Sequence, residues 1–386
     1  MIKARQSIAF HVIIFSVLWA LAIPGPVRGQ QAQPGQADSW TFVSIPDFLN
    51  FDIEYPQEGW EDALGFVLES MKKENPAFAM VAGDLVMGHW GNTKESVDKW
   101  ADRYYPQWVK RWKDHDLKVY AALGDHEIGD NPWRGKKADA VPFYKEAFRH
   151  HLNMPLNGPE HMKGTAFYWT HKNALFVAVD VFEKARGPEG KIEAQVTGTQ
   201  LAWLEDVLQK HRKSVDHIIV MGHTPILGPV RRFSSSGMRL AKGRDSALWK
   251  TMVNYNVDLY ICGEVHAVTC LRHQGIMQVA HGGLFGRTTK PNYMVVTVQP
   301  DKLELDIKEI DLINGKGRLW QYKKSRGPWD TITITKERRK EGFTSIGSVT
   351  IDKQGEDKQF KSPTGFFAPG SDPTKVKNWV PERRAE

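Results

Sequence analysis

The residue types in this sequence that are best able to do chemistry are acids and histidines that follow short apolar runs. Residues 119–123 are typical of a buried strand, and a glycine, two acids and a histidine come directly after them. In open α/β sheets, chemistry is usually done at the carboxyl ends of strands. The pattern of an apolar run followed by Asp, Glu or His occurs at Asp47, Gly83-Asp84, Gly124-Asp125-His126-Glu127, Gly222-His223 and Gly263-Glu264-Val265-His266.

These side chains, if folding brings them together, could hold two cations a few Å apart. Two metal ions can bind both oxygens of an in-line displacement and can activate a bridging water near neutral pH. That chemistry requires a bridging carboxylate, terminal ligands from several strands and an unligated imidazole that handles a proton. An isolated Asp after a glycine is more simply a turn or helix-capping residue, so the hypothesis depends on the whole set.

The elements that must position these residues alternate between strand and helix, which implies a layered α/β fold. No internal repeat is visible. Strands are predicted at 40–45, 78–81, 119–123, 167–170, 175–180, 217–221, 259–262, 277–280, 294–298 and 303–310. Helices are predicted from residue 60 to about 75, over 91–116 with Pro106 breaking or kinking the helix, and over 143–151, 199–211 and 246–255.

The order and spacing of the five motifs over residues 40–310 resemble the calcineurin-like metallophosphoesterase superfamily, which includes the purple acid phosphatases. The family pattern is Asp-x-His, Gly-Asp, Gly-Asn-His-Glu/Asp, Gly-His and Gly-His-x-His. The resemblance implies a hydrolase acting on phosphoric ester bonds. It also implies a four-layer αββα sandwich of two mixed β-sheets flanked by helices, to which the C-terminal composition adds a small β-rich extension.

The resemblance further implies that six side chains bind two divalent metal ions and that one imidazole stays off the metals. His126 would protonate the leaving group or steady the phosphoryl oxygens, and Glu127 would orient a ligand. The implied ligands are Asp47 and His266 for the first metal, Asp84 as the bridge, and Asp125, His223 and Glu264 for the second metal.

Three positions depart from the family pattern. Leu49 stands in place of the histidine of Asp-x-His, Asp125 in place of asparagine, and Glu264 in place of the first histidine of Gly-His-x-His. The first change leaves the first metal one ligand short. The residues that could supply that ligand are Asn50, Asp52 and His89, of which Asp52 is favoured.

The other two changes replace neutral ligands by anions, so that four carboxylates cancel the charge of two divalent ions. This favours hard ions such as Mn²⁺, Mg²⁺ or iron over zinc. It also means that attraction of the phosphate must come partly from elsewhere. Arg231 and Arg232, which follow the His223 motif, are the nearest candidates for binding the phosphate. The alternative interpretation is that both are solvated loop residues without a role in binding.

The first 29 residues are predicted to be a signal peptide, because Lys3 and Arg5 precede an apolar run over 8–23 and a Pro-Gly-Pro break. The alternative is an uncleaved membrane anchor. Either way the body would be exported, to the periplasm, the cell envelope or the medium. Removal of Lys3, Arg5 and Arg28 lowers the formal net charge from +7 to +4, which is too weak and dispersed to indicate nucleic acid.

Residues 30–38 are predicted to be a polar linker, 39–312 the phosphoesterase domain, and 313–386 a basic β-rich extension with an irregular tail. Cys262 and Cys270 could form a bridge if they lie on paired strands, or remain two buried thiols. His281 could line the site or be structural. The oligomeric state is not indicated.

The function predicted from these observations is an exported, metal-dependent phosphoesterase acting on a small-molecule phosphate mono- or diester. One alternative is a degenerate member that binds metal or phosphate without turnover, since three motif positions have changed. Retention of His126 favours the enzyme. Another alternative, a structural protein of the cell envelope that uses the basic extension, has little support.

Overall fold

The computed structural model describes residues 39–48, 58–184, 191–228, 230–231, 237–284, 290–310, 333–369 and 379–380. The predicted signal peptide and linker therefore lie outside the described residues, as do Leu49, Asn50 and Asp52. Within the described ranges, every helix is too short or too polar to cross a membrane.

The described chain alternates strands and helices, as the sequence predicts. The strands are β1 (Trp40–Ser44), β2 (Ala79–Val81), β3 (Val119–Ala121), β4 (Phe167–His171), β5 (Ala174–Ala178), β6 (Phe182–Lys184), β7 (Ile192–Ala194), β8 (His217–Met221), β9 (Val230–Arg231), β10 (Leu259–Cys262), β11 (Thr269–His273), β12 (Ile276–Ala280), β13 (Asn292–Val298), β14 (Lys302–Glu309), β15 (Thr344–Gln354), β16 (Asp357–Lys361) and β17 (Trp379–Val380). The helices are α1 (Trp60–Lys73), α2 (Lys94–Asp114), α3 (Lys136–Leu152), α4 (Gly198–His211), α5 (Ala247–Asn254) and α6 (Lys336–Glu341).

The first large sheet has seven strands in the order β16-β15-β14-β13-β1-β2-β3. The strands β1, β2 and β3 are parallel, so their carboxyl ends meet at one edge, and the others pair antiparallel. The C-terminal strands β15 and β16, predicted as part of an extension, continue this sheet. Before these strands, Thr335 caps α6 by accepting a hydrogen bond from the Arg338 N–H.

The second large sheet has six strands in the order β11-β12-β10-β8-β5-β4, of which β12, β10, β8 and β5 are parallel. Aromatic rings join the facing sheets: Phe42 and Phe176 have centroids 5.2 Å apart, and Tyr120 stacks on Trp169 at 3.9 Å. Helices flank the two sheets. The four-layer αββα prediction is confirmed, and the parallel strands bring the carboxyl ends of both sheets toward one site.

The helix α2 runs without interruption through Pro106, so of the two predicted effects of this proline the break is wrong, and the kink stays a prediction. The Thr93 side chain caps the helix by accepting from the Ser96 N–H. Trp108 and Trp112 are buried on its inner face and lie against Phe48, with ring centroids 5.9 Å and 5.6 Å from that ring. This packing fixes the segment next to Asp47.

The two cysteines do not lie on paired strands, because β12 separates β10 from β11. Two strand spacings amount to about 9.5 Å, whereas a disulfide needs Cα atoms within about 7 Å. Cys262 is buried, Cys270 is half-buried, and both are free thiols. The structure therefore supports the second of the two alternatives.

A buried acid, Asp258, ties the C-terminal hairpin of β15 and β16 to the second sheet. Its carboxylate lies 3.1 Å from the ammonium nitrogens of both Lys353 and Lys358 and accepts the Ile218 N–H at 2.9 Å. Burial acts to raise the pKa of Asp258, but the His217 ring and the two lysines lower the pKa further, to below its usual range.

Replacing Asp258 by Asn should lower the free energy of unfolding by about 3 kcal/mol, because two buried ammonium groups would lose their counter-charge. Because the folded-state pKa is depressed, this stabilisation is present above about pH 4 and is lost as the pH falls further. Denaturant titrations of the wild type and D258N at pH 7 and pH 3 measure this difference in the free energy of unfolding. The control D352N removes the half-buried partner of the exposed Lys361 and should cost less than about 1 kcal/mol. Equal effects of the two variants would contradict the prediction.

Candidate metal centre

The His223 imidazole marks the point where three acids converge. Its Nε2 lies 3.3 Å from Asp84 Oδ1, 3.2 Å from Asp125 Oδ1 and 3.4 Å from Glu264 Oε2. Its Nδ1 lies 2.7 Å from the Ala82 carbonyl oxygen, so Nδ1–H is the donor there, and loss of the Nε2 proton, which despite burial the acids favour retaining by raising the His223 pKa, would present a lone pair to a cation. Four electron-rich atoms thus face one another, an arrangement that a cation stabilises.

A second group of ligands adjoins the first and shares Asp84 with it. Asp47, Asp84 and His266 are buried and offer ligand atoms within 4.8 Å of one another. The His266 Nε2 lies 3.9 Å from Asp47 Oδ1, and the same carboxylate oxygen accepts the Glu264 N–H at 3.0 Å. The structure therefore brings together all six ligands that the sequence predicts, with Asp84 in the position of a bridge.

Buried polar atoms at this centre test whether its residues fit metal ions. Asp47 Oδ2, Asp84 Oδ2, Asp125 Oδ1 and His223 Nε2 are inaccessible to solvent and have no hydrogen-bond partner within the part of the chain that the structure describes. Leaving such atoms unpaired is costly in a protein interior. Carboxylate oxygens and imidazole nitrogens are common ligands of divalent cations. The residues present therefore fit two cations.

The protonation of these acids shows the same need for positive charge. Burial raises the pKa of Asp47 to about 7 and raises the pKa of Asp84 well above its usual range, despite the nearby His223 ring. Burial also acts to raise the pKa of Asp125, but His126 and His223 lower the pKa below its usual range. Without cations the cluster would retain protons, so metal binding should release them.

Glycines precede the ligating acids because the loops pack closely. Gly83 has φ +89°, and a Cβ there would lie 2.5 Å from His223 Nδ1. A Cβ at Gly124 would lie 2.3 Å from the Asp84 backbone nitrogen. These contacts give a physical reason for glycine at both positions.

Four of the six ligands adopt left-handed backbone conformations: φ is +48° at Asp47, +59° at Asp84, +68° at Glu264 and +53° at His266. Residues other than glycine rarely adopt such angles, and the strain persists only where the surrounding structure enforces it. The concentration of this backbone strain at four residues of one cluster is typical of a functional site.

Glu127 is fully buried and lies behind the bridging acid. Its Oε2 accepts the N–H groups of Asp84 at 2.7 Å and Gly124 at 2.8 Å. Its Oε1 accepts those of Leu85 at 2.8 Å and Val86 at 3.1 Å. The carboxylate therefore holds the loop that carries Asp84, which is the orienting position that the sequence predicts.

Replacing Glu127 by Gln should weaken divalent-metal binding about 10- to 100-fold, because the amide nitrogen cannot accept two of these N–H bonds and the Asp84 loop loses its anchor. Calorimetric titration of the metal-free protein with Mn²⁺ measures the change. E205Q, which alters a carboxylate bonded to Thr251, is the matched control and should bind as the wild type does. Unchanged affinity in folded E127Q would refute the anchoring role.

His126 lies beside the cluster with one ring nitrogen turned toward it. Its Nδ1 is 2.9 Å from the Met87 carbonyl oxygen and therefore donates, while Nε2 lies 3.9 Å from Asp84 Oδ2. Burial acts to lower the pKa of His126, but Asp125 and Asp130 raise the pKa above its usual value. The ring is thus placed near the bridging acid and biased toward carrying a proton.

Some predicted residues lie elsewhere or outside the described residues. His89, an alternative ligand of the first metal, lies 2.9 Å from Asp130 Oδ2 and groups with His126, not with Asp47. Asp52 and Arg232 lie outside the described residues, and Arg231 is described only as backbone in β9. Their predicted roles stay predictions.

His281 is structural: its Nδ1 lies 3.0 Å from Asn292 Oδ1, its Nε2 lies 3.2 Å from Ser44 Oγ, and burial lowers its pKa to about 3. The Asn131 side-chain amide donates to Asp125 Oδ2 at 2.9 Å, a contact that the motifs do not predict. Its proximity to Asp125 in the sequence was the only available signal.

Comparison with known proteins agrees with this geometry. A family model described as calcineurin-like phosphoesterase matches residues 52–268. Among solved structures, PhoD has 12% identity and a TM-score of 0.55 over 84% of this chain and 72% of its own. The purple acid phosphatase PPD1 from yellow lupin (Lupinus luteus) has 14% identity and a TM-score of 0.52 over 72% of this chain and 52% of its own. A dimetal phosphatase from Danio rerio has 15% identity and a TM-score of 0.48 over 69% of this chain and 95% of its own.

A search of curated proteins found no match. The family match covers more than half of the sequence, and the chain belongs to the calcineurin-like phosphoesterase family. It is a hydrolase that acts on phosphoric ester bonds, and the structural likeness to PhoD and the lupin phosphatase supports the same fold.

Proposed function

We propose that the protein hydrolyses a small-molecule phosphate mono- or diester with water activated between two divalent metal ions. The observation that carries the proposal is the convergence of Asp47, Asp84, Asp125 and Glu264 with His223 and His266 at buried, unsolvated positions. A structural role would not require so many anions to be buried at one point.

The ligand sets follow from the two groups. Asp47, Asp84 and His266 would hold the first ion, and Asp84 with Asp125, His223 and Glu264 would hold the second. Bound there, two cations supply Lewis acidity toward phosphoryl oxygens and lower the pKa of water. The protein keeps this charge desolvated and holds Asp84 through Glu127.

His126 would handle the proton of the leaving group. The bond from its Nδ1–H to the Met87 carbonyl fixes the ring, which leaves Nε2 as the atom that carries the exchangeable proton toward the centre. Neighbouring Asp125 and Asp130 favour the protonated ring, as a general acid requires.

The four carboxylates favour hard, oxygen-preferring ions, so we propose Mn²⁺, Mg²⁺ or iron over zinc. Metal analysis of protein purified without chelator tests this. Tightly held zinc alone would contradict it.

Export is also proposed, from residues 1–29 of the sequence. Fractionation of cells and N-terminal sequencing of the mature protein would test it. Recovery of the intact chain in the cytoplasm would contradict export and leave the catalytic proposal intact.

The decisive experiment for the activity is release of nitrophenol from mono- and bis-nitrophenyl phosphate by metal-free protein reloaded separately with Mn²⁺, Mg²⁺, Fe²⁺ and Zn²⁺. We expect turnover that requires metal and that is lost on chelation. Binding of two metals without turnover of either ester would instead favour the non-catalytic alternative.

A further inference from the structure

A cavity of about 540 Å³ adjoins the proposed metal centre on the side of the second ion. Its walls come from three segments: residues 131–134 after the His126 motif, 191–194 around β7, and 238–241 after β9. Cavities of this size hold small organic ligands. It is therefore large enough for more than the phosphoryl group itself.

Two wall residues bond directly to ligands of the second ion. The Asn131 amide donates to Asp125 Oδ2 at 2.9 Å, and the Met238 N–H donates to Glu264 Oε1 at 3.4 Å. A third wall residue, Trp133, has its ring 5.3 Å from Phe182, whose ring lies 6.1 Å from that of His223. The cavity is thus a continuation of the metal centre.

The charge of the cavity contrasts with that of the centre. Three cationic side chains line it, those of Arg134, Lys191 and Arg239, and Glu193 is the one acid among its lining residues. Arg239 is half-buried, whereas Arg134 and Lys191 are exposed. The cavity is thus mainly cationic, and it borders Asp125 and Glu264 through Asn131 and Met238, at a centre where four carboxylates would neutralise two divalent ions.

A centre in which four carboxylates neutralise two divalent ions would offer little net attraction to an anionic substrate, and this cationic cavity supplies the missing positive charge. Trp133, Ile192 and Ala194 supply apolar surface between the cations. This combination suits an organic group that carries a negative charge some distance from the reacting phosphorus.

We propose that this cavity is the leaving-group subsite, and that it selects phosphate esters whose alcohol portion carries a second anionic group, with Arg239 as the main recognition residue. The inference rests on the proposed function. It assigns substrate selection to Arg239, which follows Arg231 and Arg232 by a few residues in the sequence; the side chains of those two arginines lie outside the described part of the chain.

The test compares two competitive probes, phenylphosphonate and 4-carboxyphenylphosphonate, with metal-loaded protein by calorimetry and as inhibitors of nitrophenyl phosphate hydrolysis. They differ by one carboxylate, so the wild type should bind the second about tenfold more tightly, as expected for one charge-assisted hydrogen bond. R239A should reduce this preference to less than about threefold. R239K, which keeps the positive charge, should retain most of the preference for 4-carboxyphenylphosphonate.

R244A is the matched control, because Arg244 is an exposed arginine of the next segment that does not line the cavity. It should keep the full preference. E193Q should increase the preference, because it removes the one acid among the lining residues. Equal binding of the two probes by the wild type, or an unchanged preference in R239A, would overturn the subsite while leaving the phosphoesterase proposal standing. Failure to bind or hydrolyse any phosphorus compound would overturn both.

Discussion

Replacing Asp84 by Asn should lower kcat/KM by more than about a thousandfold and reduce the metal content from two ions to one or fewer. Asp84 belongs to both ligand groups, and its Oδ1 lies 3.3 Å from His223 Nε2. An amide offers one neutral oxygen in place of two anionic ones, so it cannot serve both ions. Metal analysis and steady-state kinetics on the same sample measure the two effects.

The matched control is D114N, which removes an exposed acid paired with Lys110 on α2. It should keep both the activity and the metal content. Folding of D84N should be intact and even favoured without metal, because the change removes one of several mutually repelling buried carboxylates. Two tightly bound ions in folded D84N would refute the bridging role.

Replacing His126 by Asn should lower kcat about 10²- to 10⁴-fold for an alkyl phosphate, the range expected for loss of a general acid. The loss should be much smaller for nitrophenyl phosphate, because nitrophenolate departs without needing a proton. Metal content should remain at two ions, since His126 is not required by either proposed ligand set. Parallel kinetics with the two substrates give the measurement.

H150N, at an exposed histidine of α3, is the control and should leave both rates unchanged. If the substitution lowers kcat equally for the alkyl phosphate and for nitrophenyl phosphate while both ions are retained, His126 binds the phosphoryl group and does not transfer a proton. Loss of one ion would make it a metal ligand. The substrate pair therefore separates the two roles that the sequence left open.

The site could be predicted from the sequence because its geometry follows from strand direction. Asp47, Asp84 and Asp125 each follow a parallel strand of one sheet, and His223 and Glu264 each follow a parallel strand of the other. Such strands expose their carboxyl ends at a common edge. Residue type and strand order therefore predicted that these side chains converge, while the assignment of each as a ligand came from the resemblance to the family.

The supporting contacts could not be predicted, because they depend on turn geometry. The four N–H groups held by Glu127 belong to two loops whose conformation the side-chain pattern does not specify. The same holds for the Asn131 amide that contacts Asp125. The charged cavity depends on residues from three separate segments, none of which carries a motif.

The predicted C-terminal strands are present, but their pairing with the first sheet could not be read from the sequence, for a different reason. The pairing of β14 with β15 shifts register between Ile307 and Lys308, which interrupts the two-residue alternation by which a strand is recognised. The sequence shows this region only as basic and does not indicate partners for its lysines. Lys353 and Lys358 instead pair with Asp258, about a hundred residues earlier in the chain.

The position of β1 between β2 and β13 has a consequence for biosynthesis. Asp47 and the Glu264 N–H that it accepts are separated by 217 residues, about 20 s of synthesis at roughly 10 residues per second. During that interval one edge of the nascent first sheet lacks β13, its antiparallel neighbour, and is open to incorrect pairing. The complete set of proposed ligands can therefore exist only in a chain that has been translated past His266, which would make metal loading a late event in synthesis.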